Sequence, residues 1–134
     1  MAEILIVDDE AETVELLARI VKLLGHEPLE ANGFHSAMSF LELGMPDLIL
    51  LDLMMPEVDG FETLERIRSM PEGREVPIVV VTASTEINLD QKVAELGGDA
   101  VYHKPIGVSI LSDAINEHLS QGDTAPLTTS ANAA

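Results

Sequence analysis

A chain of 134 residues, 46% hydrophobic and 23% charged, has the size of one domain with a single substantial core, and no apolar run approaches the roughly 20 residues that span a bilayer. Its formal charge of −17, from 24 acidic and 7 basic residues, disfavours nucleic-acid phosphates and anionic lipid and favours a divalent metal or a basic partner, although solubility alone accounts for most of these acids. Cysteine is absent, which removes disulfides and thiolate metal sites, and with no basic flank before "EILIV" to mark a signal peptide the expected setting is the cytoplasm.

The first element is "ILIV", residues 4 to 7, a continuous apolar run that reads as a strand buried on both faces, closed by Asp8 and Asp9. Val14, Leu17, Ala18 and Val21 then form a stripe at helical spacing with Glu12, Glu15, Arg19 and Lys22 opposite, and Gly25 stops that helix. "HEPLEA", 26 to 31, is a weaker strand expected near a sheet edge, and Phe34, Ala37, Met38 and Leu41 mark the helix after it. "LILLDL", 48 to 53, is a second buried strand with Asp52 at its end among apolar neighbours; Phe61, Leu64 and Ile67 follow at helical spacing. "PIVVVT", 77 to 82, is a third buried strand ending on Thr82, and Leu89, Val93 and Leu96 give the fourth helix. "DAVYH", 99 to 103, is a short strand expected near the other edge, followed by Lys104 and Pro105; the last helix carries Ile110, Leu111, Ala114, Ile115 and His118.

Five strands and five helices in strict alternation predict an α/β fold, a parallel sheet covered by helices on both faces. Residues 1–121 are expected to form this domain. From residue 122 the chain reads "GDTAPLTTSANAA", without periodicity, as a flexible tail or the start of a linker.

Ligands of an open parallel sheet bind beyond the carboxyl ends of its strands, and right-handed crossovers place those ends on one edge. Asp8, Asp9, Asp52, Thr82 and Lys104 are therefore expected to converge. Most have a plainer account taken singly: Asp9 with Glu12 resembles a capping box, Ser84 or Thr85 could cap the fourth helix, and Lys104 could be a solvated loop lysine. Asp52 is different, because no helix begins at the next residue and its neighbours are apolar. Clustered carboxylates raise the pKa of at least one member and call for a cation, and an oxygen-only set suits Mg²⁺ better than zinc or a closed calcium cage. With Thr82 and Lys104 added, the parts suffice to hold a phosphoryl group in line with a carboxylate nucleophile, for which Asp52 is best placed. The histidines, His26, His35, His103 and His118, are expected at surface or boundary positions and not in a metal site.

Through "LIVDDE", "DLILLDLMMPEVDGFE", "VVVTAS" and "VYHKPI", in that order, the chain resembles the two-component response-regulator receiver domains over about residues 3 to 120. The resemblance implies a flavodoxin-like, doubly wound sheet of strand order 2-1-3-4-5. It implies that Asp52 accepts a phosphoryl group from a sensor histidine kinase or a histidine phosphotransfer protein. It further implies that Asp9, Asp52 and the Met54 carbonyl ligate Mg²⁺ directly while Asp8 acts largely through water. Thr82 and Lys104 would contact the phosphoryl oxygens, with Lys104 paired to Asp52 beforehand, and the bond from Lys104 to Pro105 would be cis. Tyr102 stands where the family carries an aromatic that changes rotamer as Thr82 moves, which would switch the surface of helix four, strand five and helix five toward a downstream protein or output domain.

Such a domain is a signalling switch that catalyses its own phosphotransfer and slow dephosphorylation, not an enzyme acting on other substrates. An apolar Met54, two residues after the acceptor, predicts a slower loss of phosphate than a polar residue there. The fifth helix lacks arginine and lysine, which argues against charge-paired dimerisation through that face and for a monomer or weak dimer. A haloacid-dehalogenase-like phosphatase is a competing reading, but it wants a second acid where this chain has Met54, and a larger body with a cap. A receiver-like module that binds partners without phosphate is another, and retention of all five site residues argues against it. No output domain is visible, so the chain reads as a stand-alone regulator or as the receiver portion of a longer one.

Overall fold

The computed structural model describes residues 1–123. In chain order it contains β1 (Glu3–Val7), α1 (Ala11–Leu23), β2 (Glu27–Ala31), α2 (Phe34–Leu43), β3 (Leu48–Leu51), α3 (Gly60–Ser69), a 3₁₀ turn (Pro71–Gly73), β4 (Ile78–Thr82), α4 (Leu89–Glu95), β5 (Ala100–His103) and α5 (Val108–Asp123). All strand pairs are parallel, as the alternation of elements predicts, and the order is β2-β1-β3-β4-β5, the doubly wound arrangement that the resemblance implies.

The apolar runs explain the order. Every residue of β3 and β4 is buried, as both faces of a central parallel strand must be, whereas β2 and β5 are partly exposed and lie at the edges. An edge also tolerates Pro28, which has no N–H to give to a ladder. Within each central run alternate side chains serve opposite layers. Leu5, Val7, Ile49, Leu51, Ile78 and Val80 join Leu41, Leu64, Ile67 and Val93 of α2, α3 and α4. Ile4, Ile6, Leu48, Leu50, Val79 and Val81 join Leu17, Val21, Leu111 and Ile115 of α1 and α5. Each fully buried aliphatic side chain contributes about 1.5–3 kcal/mol, so the two layers together fix the sheet.

Gly25 ends α1 as expected, with φ +87 and its N–H donating to the Lys22 carbonyl at 2.9 Å. Several boundaries differ from the expected ones. β3 stops at Leu51, so Asp52 and Leu53 lie in the loop beyond the strand, although the Asp52 N–H still donates to the Val7 carbonyl at 3.0 Å. The 3₁₀ turn at "PEG" was not expected. α5 runs to Asp123, two residues into the segment read as a tail, and residues 124–134 lie outside the described residues. His118 is buried, contrary to its expected surface or boundary position, because it continues the apolar stripe of Leu111, Ala114 and Ile115 into the core. His35 and His103 are exposed and His26 is intermediate, its Nδ1 accepting from the Ala2 N–H at 3.0 Å.

At the amino edge of the sheet, Arg68 at the end of α3 gathers several segments. Its guanidinium donates to the carbonyls of Gly73 (2.8 Å), Val76 (2.7 Å) and Gly97 (2.9 Å) and to Asp99 (3.1 Å), whose carboxylate also accepts from the Ile78 N–H at 2.8 Å. Burial lowers the Arg68 pKa, and Asp99 opposes that shift. Among the described residues no helix is long and apolar enough to cross a membrane.

Candidate acidic site at the carboxyl edge of the sheet

Four strands deliver the site. Val7 and Leu51 are paired across β1 and β3, so Asp8 and Asp52, each one residue further on, emerge side by side. The backbone is tied at both: Asp8 donates its N–H to the Ala31 carbonyl at 3.1 Å and Asp52 to Val7 at 3.0 Å. Thr82 ends β4 in register with His103 of β5, and the Lys104 N–H donates to the Thr82 carbonyl at 2.9 Å. The Lys104–Pro105 bond is cis.

Carboxylate oxygens of Asp8, Asp9 and Asp52 lie within 4.8 Å of one another, with Asp8 and Asp52 buried and Asp9 exposed. Lys104 reaches into them. Its Nζ is 2.8 Å from Asp8 Oδ2, 3.0 Å from Glu10 Oε1 and 3.4 Å from Asp52 Oδ2. The expected pairing of Lys104 with Asp52 is thus present but shared, and two other carboxylates hold the ammonium more closely. On the far side of Asp52, Oδ1 accepts from the Met54 N–H at 3.3 Å, while the Met54 side chain is exposed. The Thr82 hydroxyl is buried and accepts from the Ser84 N–H at 3.2 Å. Tyr102 is half-buried against the α1 and α5 layer.

The charges explain one another. Burial raises the Asp8 pKa above its ordinary value; hydrogen bonds from Lys104 and the Glu10 N–H oppose the rise, and the nearby charge of Asp52 adds to it. Burial alone would lower the Lys104 pKa, but its bonds to Asp8 and Glu10 and the charge of Asp52 outweigh that and hold it above the usual lysine range. Glu10 is lowered by Lys104 and by the Thr13 hydroxyl. One ammonium against two buried acids, Asp8 and Asp52, with the exposed Asp9 and Glu10 beside them, leaves the pocket short of positive charge. The donors are all hard oxygens, which fits a small divalent cation such as Mg²⁺ and does not fit a soft metal.

The capping alternatives are corrected. α1 is entered through Glu10 with no side-chain cap, so Asp9 and Glu12 form no capping box; Asp8 Oδ1 instead accepts from the Glu10 N–H at 2.9 Å. α4 is entered through Asn88 at φ +61, and Ser84 bonds the Glu86 N–H in the loop before it, so neither Ser84 nor Thr85 caps that helix.

Two contributors escape sequence reasoning. Glu10, the third acid of "DDE", is drawn to Lys104 across the fold. Gly60 opens α3 directly over the loop after β3, where a Cβ would collide with the Asp52 carbonyl oxygen and Leu53 Cα; its N–H donates to the Leu53 carbonyl at 3.0 Å. Asp59 just before it caps α3 by accepting from the Glu62 N–H at 3.0 Å. The loop after Asp52 is thereby pinned at both ends.

The family model of the response regulator receiver domain matches residues 4–116. Transcriptional regulatory protein SpaR of Bacillus subtilis is 40% identical over 119 residues, which cover 89% of this chain and 52% of SpaR. Sporulation initiation phosphotransferase F of Bacillus subtilis is 31% identical over 117 residues, covering 87% of this chain and 93% of that protein. The chain therefore spans about half the length of one relative and nearly all of the other. Among solved structures, the signal receiver domain of a signal transduction histidine kinase from Syntrophus aciditrophicus matches with a TM-score of 0.85 at 29% identity, over 98% of this chain and 99% of that one. Chemotaxis protein CheY4 of Vibrio cholerae matches in fold, with a TM-score of 0.83 at 24% identity over 88% of this chain and 98% of that one.

Proposed function

The chain belongs to the response regulator receiver domain family, and from that premise we propose that Asp52 accepts a phosphoryl group, in a Mg²⁺-dependent reaction, from a sensor histidine kinase or a histidine phosphotransfer protein. The observation that carries this reading is the placement of Asp52: buried at the sheet edge, within 4.8 Å of the Asp8 and Asp9 oxygens, with Lys104 3.4 Å from its Oδ2.

In the transfer an Asp52 carboxylate oxygen attacks phosphorus. The new O–P bond forms as the P–N bond of the phosphohistidine breaks, and the electron pair leaves on the imidazole nitrogen. Oδ2 faces Lys104 whereas Oδ1 is occupied by the Met54 N–H, so Oδ2 is the oxygen whose adduct lies beside an ammonium. Lys104 and the Thr82 hydroxyl donate to phosphoryl oxygens in the product. Asp9, Asp52 and the Met54 carbonyl would hold Mg²⁺, with Asp8 acting through water, and the bound ion would supply positive charge against that of the transferring group. Movement of Thr82 toward that group, followed by Tyr102, changes the surface of α4, β5 and α5 that a downstream protein or output domain reads.

Incubation with acetyl phosphate and Mg²⁺ tests the proposal. An acid-labile adduct on Asp52 that forms with Mg²⁺ and does not form in chelator is expected; steady turnover of phosphate esters would mark a phosphatase, and absence of any adduct a binding module. Once formed, the adduct is expected to decay faster in Met54→Asn than in wild type, since a polar residue at the exposed mouth helps to orient water. Equal decay constants would contradict that role for Met54.

A further inference from the structure

We propose that Glu10 is a positioning residue that holds Lys104 on the Asp8 side of the pocket and so limits how readily the ammonium turns to a phosphoryl group on Asp52. This rests on the reading of Asp52 as acceptor. The Lys104 ammonium has three N–H donors, and three carboxylates surround it at 2.8 Å (Asp8), 3.0 Å (Glu10) and 3.4 Å (Asp52). A phosphoryl oxygen can gain a bond from Lys104 only if one of these contacts loosens.

Asp8 is a poor candidate to let go. It is buried, and without Lys104 its carboxylate would be left with little beyond the Glu10 N–H. Glu10 is built differently: its side chain is 63% exposed, so water replaces the ammonium at small cost, yet it is held in reach because the same Oε1 accepts from the Thr13 hydroxyl at 3.0 Å on the first turn of α1. Thr13, Glu10 and Lys104 form a chain of contacts from α1 to the loop after β5. It restrains the ammonium in the resting protein and releases it when a stronger acceptor appears on Asp52.

Two substitutions separate this tether from simple repulsion of an anionic donor by one more acid. Glu10→Gln removes the charge. Glu10→Asp keeps the charge but shortens the arm by one methylene, so that it no longer reaches Lys104. Both are expected to form the Asp52 adduct from acetyl phosphate and Mg²⁺ roughly two- to fivefold faster than wild type, the worth of one solvent-screened ion pair. Beryllofluoride with Mg²⁺, titrated against the Lys104 ε-methylene NMR signal, is expected to show a half-point lowered by the same factor in both. A change confined to Glu10→Gln, with Glu10→Asp like wild type, would overturn the tether and leave charge repulsion. Wild-type rates and half-points in both variants would overturn it while leaving Asp52 as the acceptor. Failure of the wild-type protein itself to form the adduct or to respond to beryllofluoride would overturn the acceptor assignment and the tether with it.

Discussion

Asp52 sits one step past Leu51, where the pairing of β1 and β3 ends, and next to buried Leu53. Its position, like those of Asp8, Asp9, Thr82 and Lys104, was legible in the sequence because each ends or follows an apolar run and parallel strands end together. Glu10 and Gly60 were not. The first acts through side-chain reach over 94 positions, and the second through the approach of α3 to a backbone eight residues earlier. Gly60→Ala is expected to cost about 1–3 kcal/mol in urea unfolding and to slow adduct formation, since the added Cβ displaces the Asp52 carbonyl. Asp8 gives a pH test. Its pKa is raised from the ordinary 3.8, chiefly by burial, so its ionised form is a burden on the fold: relative stability is full below 3.8 and is lost as pH rises through the folded value. Asp8→Asn should therefore exceed wild type in stability at pH 7 in chelator, with the gap closing as pH falls toward 3.8. Thermal unfolding across pH checks this. A constant gap, or a gap of the opposite sign, would contradict the electrostatic account.

Strands and helices were readable from apolar periodicity, down to the edge positions of β2 and β5. Their ends were read less well, because ends depend on contacts that sequence spacing does not encode. β3 stops one residue before Asp52, α1 begins without the capping box that "DDEAE" suggested, and α4 starts late, after a loop that Ser84 and Glu86 organise. His118 was placed correctly on the apolar stripe of α5 but read by residue type as a surface or boundary histidine, and the stripe proved the better guide. The staple at Arg68 belongs to this scale, since it joins α3, the 3₁₀ turn, the start of β4 and the segment before β5. Its side chain is 16% exposed and it satisfies three carbonyls besides Asp99. Arg68→Ala should cost about 2–4 kcal/mol in urea unfolding, because the carbonyls and Asp99 lose their donors. Arg68→Lys should recover only a fraction, as one ammonium cannot span acceptors that the planar guanidinium forks across. Full recovery by lysine would reduce the staple to a single ion pair.

For the molecule as a whole, the two core layers make a rigid frame whose opposite edges differ in task. The amino edge is locked by Arg68, and the carboxyl edge gathers Asp8, Glu10 and Asp52 around one lysine, with Asp9 close to Asp8 and Asp52. A chain of net charge −17 that concentrates carboxylates in this way gives up local stability at a site whose charge a bound cation would balance. The most direct test of that account is the mass of the intact protein after incubation with acetyl phosphate and Mg²⁺, with the site mapped by fragmentation, for wild type and Asp52→Asn. Wild type is expected to gain one phosphoryl group on Asp52 and none in chelator, while Asp52→Asn folds normally and gains none; the same adduct on the Asn variant, or a wild-type adduct mapping elsewhere, would contradict it.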